Sequence, residues 1–206
     1  MSRPGPARAP SLLREAVTLV AVAVAIAVVV KAFVAQAFYI PSGSMIPQLE
    51  INDRVVVSKL AYDLHDPRRG DIVVFKAPPS QQPLQPPPET GVSGVLHTVG
   101  TWIGVVTPST EDYIKRVIGL PGDTVEARAG HVYVDGRLLI EPYLPSGLTT
   151  ADFGPVVVPP GRLWVMGDNR GDSCDSRCFP EGAIPASSVV GRAVFRVWPF
   201  SHVSFL

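Results

Sequence analysis

The run DYIKRVIG, residues 112–119, decides the fold class of this chain. It is rich in β-branched isoleucine and valine and ends at a glycine that a proline soon follows, a pattern that predicts a short β-strand. Six further runs of this kind occur between residues 54 and 199, and 22 prolines and 18 glycines are spread among the 206 residues. Frequent turns between short apolar runs favour β structure over helices. The chain is therefore predicted to be mainly β.

Two dipeptides indicate how consecutive strands connect. Ala129-Gly130 divides TVEAR from HVYV, and Asp135-Gly136 divides HVYV from RLLI. Both dipeptides are typical of tight turns. No sustained helical period occurs beyond the N-terminal region. These features predict an antiparallel, partly barrel-like β domain over residues 37–206.

The N-terminal region has a different pattern. Residues 16–30 read AVTLVAVAVAIAVVV, and the apolar character continues past Lys31. A helix over residues 16–36 would be about 30 Å long, which matches the hydrocarbon core of a bilayer. Three arginines among the first 14 residues predict that a tail of residues 1–15 stays in the cytoplasm. We expect one transmembrane helix in the plasma membrane, with the β domain on its outer side.

A cleavable signal peptide is the alternative for this region. Ala35-Gln36-Ala37 has the A-x-A form of a cleavage site. The apolar region is, however, longer than the roughly 7–15 residues that are typical of such signals. This length favours a retained anchor.

Residues 77–110 do not fit the β core. They open with a proline-rich stretch, which lacks the N–H groups that a strand ladder needs, and continue into an apolar patch around Trp102 and Ile103. Packing of this patch on the domain and contact with the bilayer interface are both compatible with the sequence.

Charge and histidine content narrow the range of partners. The 18 basic and 18 acidic residues balance, and the basic residues are not clustered, so no nucleic-acid partner is expected. The four histidines lack the spacing of metal ligands. No metal or other cofactor is therefore expected.

The stretch YIPSGSMIPQLE, residues 39–50, places two hydroxyls, those of Ser42 and Ser44, close to the end of the apolar run. A serine needs a base to act as a nucleophile, and without a well-placed histidine the alternative is lysine. Lys115 lies within DYIKRVIG, on the same strand face as Tyr113. Burial there would lower the pKa of this lysine and leave an amine able to accept a proton. The strand pattern by itself favours an outward-facing surface lysine, so both alternatives remain open.

A third polar stretch, MGDNRGDSCDSR at residues 166–177, follows the predicted strand RLWV. It is either a solvated turn or a polar network that orients catalytic groups. In the second case Ser173 could hydrogen-bond an amine, and Asp175 and Arg177 could pair as neighbours on one strand face.

Together these stretches resemble a known family. The blocks that carry the resemblance follow the apolar N-terminal run, and they are PSGSMIPQL at 41–49, RGDIVVFK at 69–76, YIKRVIGLPGD at 113–123 and GDNRGDSCDSR at 167–177. In that order they are similar to bacterial type I signal peptidases, also called leader peptidases. These are membrane-anchored Ser–Lys endopeptidases that remove signal peptides from exported preproteins after an A-x-A site. The resemblance implies signal peptides and membrane lipid as partners.

The resemblance also implies roles for individual residues. Ser44 would be the nucleophile and Lys115 its general base. The Ser42 hydroxyl and the Ser44 N–H would form the oxyanion hole, and Ser173 would hold the lysine amine in place. The residues that would support the site structurally are Met45, Arg116, Asp168, Asp175 and Arg177.

Three features depart from the family pattern. Gln48 stands where the first block commonly has threonine, at a position away from the chemistry, and the segment of residues 77–110 is unusually long. Cys174 and Cys178 are not a general family feature. On the outer side of a membrane they can form a disulfide that closes a small loop, or they can remain free thiols.

Two other functions are compatible with parts of the pattern. Soluble self-cleaving repressors share a Ser–Lys dyad and a similar β core, but the apolar N-terminal run and the lack of a DNA-binding helix pair disfavour them. A membrane-tethered β domain that only binds exported partners would require Ser44 or Lys115 to be absent or misplaced.

Overall fold

The computed structural model describes residues 12–29, 34–81 and 112–206. Within these ranges the strands form two antiparallel sheets. The larger sheet contains β1 (Ala35–Tyr39), β2 (Arg54–Ser58), β3 (Ile72–Lys76), β4 (Asp112–Gly119), β9 (Arg162–Met166), β10 (Ile184–Pro185), β11 (Val189–Trp198) and β12 (Ser204–Phe205). The smaller sheet contains β5 (Thr124–Arg128), β6 (His131–Val134), β7 (Arg137–Leu138) and β8 (Phe153–Val157). The α-helices of these ranges are α1 (Leu12–Val29) and α2 (Ala61–Leu64).

The large sheet has the strand order β1-β2-β11-β3-β4-β9-β10, and β12 pairs with β11. Neighbouring strands in both sheets are antiparallel. The order ends at β1 and at β10, so the described part of the sheet is open. The prediction of a mainly β, antiparallel fold is confirmed.

Strand β4 lies inside the large sheet and is buried on both faces. Ile114 packs in one apolar cluster with Val74 of β3, whereas Val117 packs in another cluster with Val73. Since alternate residues of a strand point to opposite faces, six consecutive residues of β4 are buried. Lys115 shares this burial, with an exposed fraction of 2%. The alternative of a surface lysine is therefore wrong.

Both predicted tight turns are present. Ala129 and Gly130 have φ angles of 50° and 84°, and Asp135 and Gly136 have φ angles of 51° and 73°. Two successive positive φ angles define the turn type whose twist matches a β-hairpin. The Asp135 carboxylate also accepts a hydrogen bond of 2.9 Å from the N–H of Thr124, which joins the two ends of the hairpin.

Helix α1 covers most of the predicted anchor. Over residues 14–27 its apolar side chains are exposed, with exposed fractions of 61% for Val17 and 71% for Leu19. Among the residues that the structure describes, no helix combines the length and the apolar character that a membrane crossing requires. Parts of the predicted tail and anchor, residues 1–11 and 30–33, lie outside the described ranges.

Strand β1 corrects the end of the predicted anchor helix. Ala35 and Gln36 are strand residues, because they pair with β2 in a regular antiparallel ladder. In the same ladder Ala37 pairs with Val56, and Phe38 is buried in the core with an exposed fraction of 5%. The bond that follows Ala37 thus belongs to a paired strand of the β domain. This placement argues against a signal peptide that is removed at the A-x-A sequence.

The proline-rich segment is described only as far as residue 81. Its first residues form a short 3₁₀ turn, Pro79–Gln81. The Ser80 hydroxyl donates a hydrogen bond of 2.6 Å to the Glu181 carboxylate. The rest of the segment, including the apolar patch predicted to contact either the domain or the bilayer, lies outside the described residues.

Candidate active site

A cleft of about 610 Å³ lies between the end of β1 and strand β4. The chain leaves β1 in a series of bends and turns that carries both serines of the PSGSM stretch. The polar side chains that line the cleft include those of Ser42, Ser44, Lys115 and Asp172, and its apolar wall includes Phe38, Ile40, Val74 and Ile114. A predominantly apolar cleft with a few convergent polar groups is a common form of active site.

Ser44 and Lys115 meet at the base of this cleft. The Lys115 Nζ atom lies 2.7 Å from the Ser44 Oγ atom, although 71 residues separate them in sequence. The same Nζ atom donates a hydrogen bond of 2.9 Å to the carbonyl oxygen of Ile114. Both residues line the cleft, and their exposed fractions are 8% for Ser44 and 2% for Lys115.

The environment of Lys115 favours the neutral amine. Burial lowers the pKa of Lys115 from 10.5 to about 8, and the positive charge of Arg177 contributes to this lowering. The carboxylates of Asp175 and Asp168 act in the opposite direction, but the desolvation of the charged form is the larger effect. A lysine with this pKa has an appreciable neutral fraction near neutral pH, as a general base requires.

Ser42 stands beside Ser44 at the opening of the cleft. Its residue is exposed, and its Oγ atom lies 3.5 Å from the Ser44 Oγ atom. This distance is long for a hydrogen bond between two hydroxyls. The Ser42 hydroxyl is therefore held only weakly and can turn towards a group that enters the cleft.

Ser173 departs from its expected role. The hydrogen bond that the resemblance implies between the Ser173 hydroxyl and the amine of Lys115 is not made. The Ser173 Oγ atom is buried and has no hydrogen-bond partner among the described residues. The Lys115 amine is instead held by Ser44 and by the Ile114 carbonyl.

Arg116 and Asp168 form a buried ion pair behind the cleft. The Arg116 Nε and Nη2 atoms donate to the two carboxylate oxygens of Asp168 at 2.8 and 2.6 Å. A third guanidinium donor reaches the carbonyl oxygen of Gly70 at 2.8 Å, and the guanidinium lies 3.8 Å from the ring centre of Tyr143. This pair joins β4 to the turn that follows β9.

Asp175 and Arg177 also pair through two hydrogen bonds, of 2.8 and 2.7 Å. The pairing is as predicted, but the residues lie in a turn and not on one strand face. The Asp175 carboxylate in addition accepts a hydrogen bond of 2.9 Å from the N–H of Gly167. Because Asp175 is fully buried, its charge is satisfied by these donors and ties the two ends of the polar stretch together.

The two cysteines form a disulfide, Cys174–Cys178. The disulfide closes a loop that contains both Asp175 and Arg177, and Cys174 itself lines the cleft. The cross-link therefore restrains the same turn that carries the supporting ion pair.

Met45 belongs to the core below the cleft. It is fully buried and packs in one apolar cluster with Ile40 and Val55. Of these three residues, Ile40 also forms part of the cleft wall. Met45 thus connects the serine-bearing turn to the large sheet.

Sequence reasoning did not single out three residues of this region. The Asn169 side chain donates a hydrogen bond to the carbonyl oxygen of Gly43, and its backbone N–H donates one to the carbonyl oxygen of Ser44. Arg170 is 3% exposed and donates to the Glu141 carboxylate at 2.5 and 3.1 Å. Asn169 and Arg170 lie within the block GDNRGDSCDSR, and their place in that block could have indicated that they belong to the site. Nothing in the sequence near Glu141 indicates that it pairs with Arg170.

A serine hydroxyl in contact with a buried amine, at the base of a cleft, is the arrangement of a hydrolase that acts through serine. The sequence profile of the family described as signal peptidase, peptidase S26, matches residues 13–198. The chain belongs to this family and is an enzyme, a serine hydrolase.

Two relatives named signal peptidase I agree with this assignment. The chain is 40% identical to signal peptidase I of Mycobacterium tuberculosis strain H37Rv over an alignment of 233 positions, which covers 97% of this chain and 76% of the relative. It is 39% identical to signal peptidase I of Leptolyngbya laminosa, over 97% of this chain and 86% of the relative. A crystal structure of a signal peptidase I from Enterococcus faecalis V583 is 29% identical, covering 63% of this chain and 97% of that chain with a TM-score of 0.42.

Proposed function

We propose that this enzyme removes signal peptides from exported preproteins by cutting after an A-x-A site, with Ser44 as nucleophile and Lys115 as general base. The observation that carries the proposal is the 2.7 Å contact between the Lys115 Nζ and Ser44 Oγ atoms. Burial holds the pKa of this lysine at about 8, so the amine can accept the serine proton.

The proposed reaction has two halves. In the first, Ser44 Oγ bonds to the substrate carbonyl carbon, its proton passes to Lys115, and the carbonyl oxygen becomes an oxyanion. The Ser44 N–H and the Ser42 hydroxyl donate to that oxygen, and each such donor contributes about 3 kcal/mol to transition-state stabilisation in a comparable enzyme. The C–N bond then breaks and Lys115 returns its proton to the leaving amine. In the second half a water bonds to the acyl carbon while its proton passes to Lys115, and the bond from that carbon to Ser44 Oγ breaks as Lys115 returns the proton to the serine oxygen.

The edge of β4 suggests how a substrate is held. Strand β4 pairs with β9 only from Arg116 onwards, so beside Tyr113 and Ile114 no described strand occupies that side. The cleft runs along this segment. An extended peptide can add to such an edge by backbone hydrogen bonds, with alternate side chains directed to the wall. The apolar wall that includes Ile40 and Val74 suits small apolar side chains such as alanine.

We further propose that the apolar run anchors the enzyme in the plasma membrane, with residues 1–15 in the cytoplasm and the β domain outside. The run from residue 16 to 30 holds no charged residue, and the apolar side chains of residues 16–27 are exposed. Only a few residues separate this run from β1, at whose end the cleft begins. The active site would then lie near the membrane surface, where signal peptides leave the bilayer.

The test uses the full-length protein in detergent and a preprotein that carries an Ala-x-Ala signal, with the mature product identified by mass. Wild type should cut after the second alanine, and Ser44→Ala and Lys115→Ala should not. Lys76→Ala is the matched control, because Lys76 is an exposed lysine of the neighbouring strand β3 and should leave cleavage unchanged. Equal cleavage by all four proteins, or no cleavage by folded wild type, would overturn the proposal.

A further inference from the structure

Asn169 binds the backbone of the serine-bearing turn at two successive carbonyl groups. Its side-chain Nδ2 donates a hydrogen bond of 3.0 Å to the carbonyl oxygen of Gly43. Its backbone N–H donates another hydrogen bond, also of 3.0 Å, to the carbonyl oxygen of Ser44. Asn169 is 126 residues away from Gly43 in sequence and lies in the turn after β9. One residue thus holds both peptide groups that flank the Ser44 side chain.

The bond to Gly43 determines where the Ser44 N–H points. The carbonyl of Gly43 and the N–H of Ser44 belong to one peptide group, which is planar and trans, so the two bonds point in opposite directions. A donor that fixes the carbonyl therefore also fixes the N–H on the other side. The N–H of Ile46 supports the same carbonyl at 3.1 Å. The Ser44 N–H is in this way directed away from Asn169.

The turn that carries Asn169 is itself rigidly placed. On one side Asp168 is fully buried in its ion pair with Arg116. On the other side Arg170 is buried and bonded to Glu141 and to the carbonyl oxygen of Gly167. A side chain whose two neighbours are held by buried ion pairs can impose a geometry on its partner.

Close packing excludes a looser arrangement. A Cβ atom added at Gly167 would lie 2.4 Å from the carbonyl oxygen of Ser44, so this turn lies directly against the backbone of the serine. The Asn169 hydrogen bonds therefore act over a contact that has no space for an intervening water molecule.

We propose that Asn169 is a positioning residue for the oxyanion hole, acting through the Gly43–Ser44 peptide group. Asn169 is not among the described residues that line the cleft, and the hydrogen-bond partners of Lys115 there are Ser44 and Ile114. The Asn169 amide holds the Ser44 N–H in the direction in which that N–H donates to the developing oxyanion. The inference rests on the proposed function, since it presupposes that Ser44 is the nucleophile.

The test compares wild type with Asn169→Ala and with Asn169→Asp, which keeps the size of the side chain and loses the amide donor. Both variants should lower kcat by about 10- to 100-fold while KM stays within about twofold, because the donor is needed in the transition state. In Asn169→Ala the pH at which activity rises should not move, since this change leaves Lys115 untouched and adds no charge. Thermal unfolding of each variant establishes that it is folded.

A peptide aldehyde gives a second readout that a merely structural role would not move. Ser44 Oγ adds to the aldehyde carbon and its proton passes to Lys115, so the adduct carries an oxyanion in the hole. Its inhibition constant should rise in the Asn169 variants by the same factor as kcat falls, while binding of the corresponding uncleavable peptide should not change. An unchanged aldehyde constant, a loss confined to KM, or a shifted pH profile in Asn169→Ala would overturn the inference.

The two proposals fail in different ways. A wild type that cuts the preprotein and binds the aldehyde, together with an Asn169→Asp variant that matches it, contradicts the positioning role alone. A folded wild type that does neither contradicts the proposed function and with it the role of Asn169.

Discussion

The guanidinium of Arg116 donates two hydrogen bonds, of 2.8 and 2.6 Å, to the carboxylate of Asp168 at the back of the active-site cleft. Each partner has a residue of the site as its sequence neighbour. Lys115 directly precedes Arg116 on β4, and Asn169 directly follows Asp168. The ion pair therefore sets the distance between the strand that carries the amine and the turn that holds the serine.

Loss of the Asp168 carboxylate should destabilise the protein strongly. The Asp168→Ala variant leaves the buried guanidinium of Arg116 without its partner, and breaking one half of a buried pair costs about 3–5 kcal/mol. Urea unfolding measures the loss. In the control variant Glu126→Ala, the broken pair is with Arg128, whose side chain is 54% exposed, so the change should stay below about 1 kcal/mol. Similar losses of unfolding free energy in the two variants would show that the buried Arg116–Asp168 pair does not stabilise the fold more than an exposed pair does.

Activity should rise with pH in one step, as Lys115 loses its proton. Burial holds the pKa of Lys115 at about 8, and only the neutral amine can accept the serine proton. The neutral fraction increases as pH rises through this value, so kcat/KM at pH 7 should be about one tenth of its plateau above pH 9. A preprotein cleavage assay from pH 5 to 10 measures this rise. A rate that does not change across this range would contradict a lysine base.

Gly167 should not tolerate even a methyl group. A Cβ atom at this position would lie 2.2 Å from the Ser173 Oγ atom and 2.4 Å from the carbonyl oxygen of Ser44. Gly167→Ala should therefore displace the serine and reduce kcat/KM by at least about 100-fold. Gly171→Ala is the matched control, because a Cβ atom there meets nothing within 4 Å. The packing argument fails if both variants retain wild-type kcat/KM.

The disulfide should contribute modestly to stability and little to chemistry. The loop between Cys174 and Cys178 spans few residues, and loop-closure entropy then predicts at most about 2 kcal/mol. The double variant Cys174→Ser and Cys178→Ser should unfold at a lower temperature in calorimetry, and it should keep cleavage within about tenfold of wild type. An unfolding temperature equal to that of the oxidised wild type would remove any stabilising role.

Local patterns were sufficient for the strands and their turns. The run 112–119 forms a strand, and Ala129-Gly130 and Asp135-Gly136 form hairpin turns, because propensity and turn geometry are properties of a few neighbouring residues. The burial of Lys115 does not follow from its own strand. Lys115 is buried because segments distant in sequence pack on both faces of β4. The residues of the strand itself do not reveal this packing, and their pattern therefore favoured a surface lysine.

The remaining departures also arise from tertiary contacts. Ala35 and Gln36 continue an apolar run that is typical of a helix, yet pairing with β2 makes them a strand. Ser173 lies in the block that the resemblance identifies, but the lysine amine already has Ser44 and a carbonyl as partners. Asn169 was inconspicuous because its partner lies 126 residues away.

The most direct test of the Ser44–Lys115 dyad is the pKa of the lysine itself. The chain has only four lysines, at positions 31, 59, 76 and 115, so a protein labelled at the lysine side chains gives few NMR signals. We expect one signal to titrate near pH 8, to be missing from the Lys115→Met variant, and to match the pH limb of activity. If all four lysines titrate near their ordinary value of about 10.4, the amine beside Ser44 is charged at neutral pH and cannot be the base.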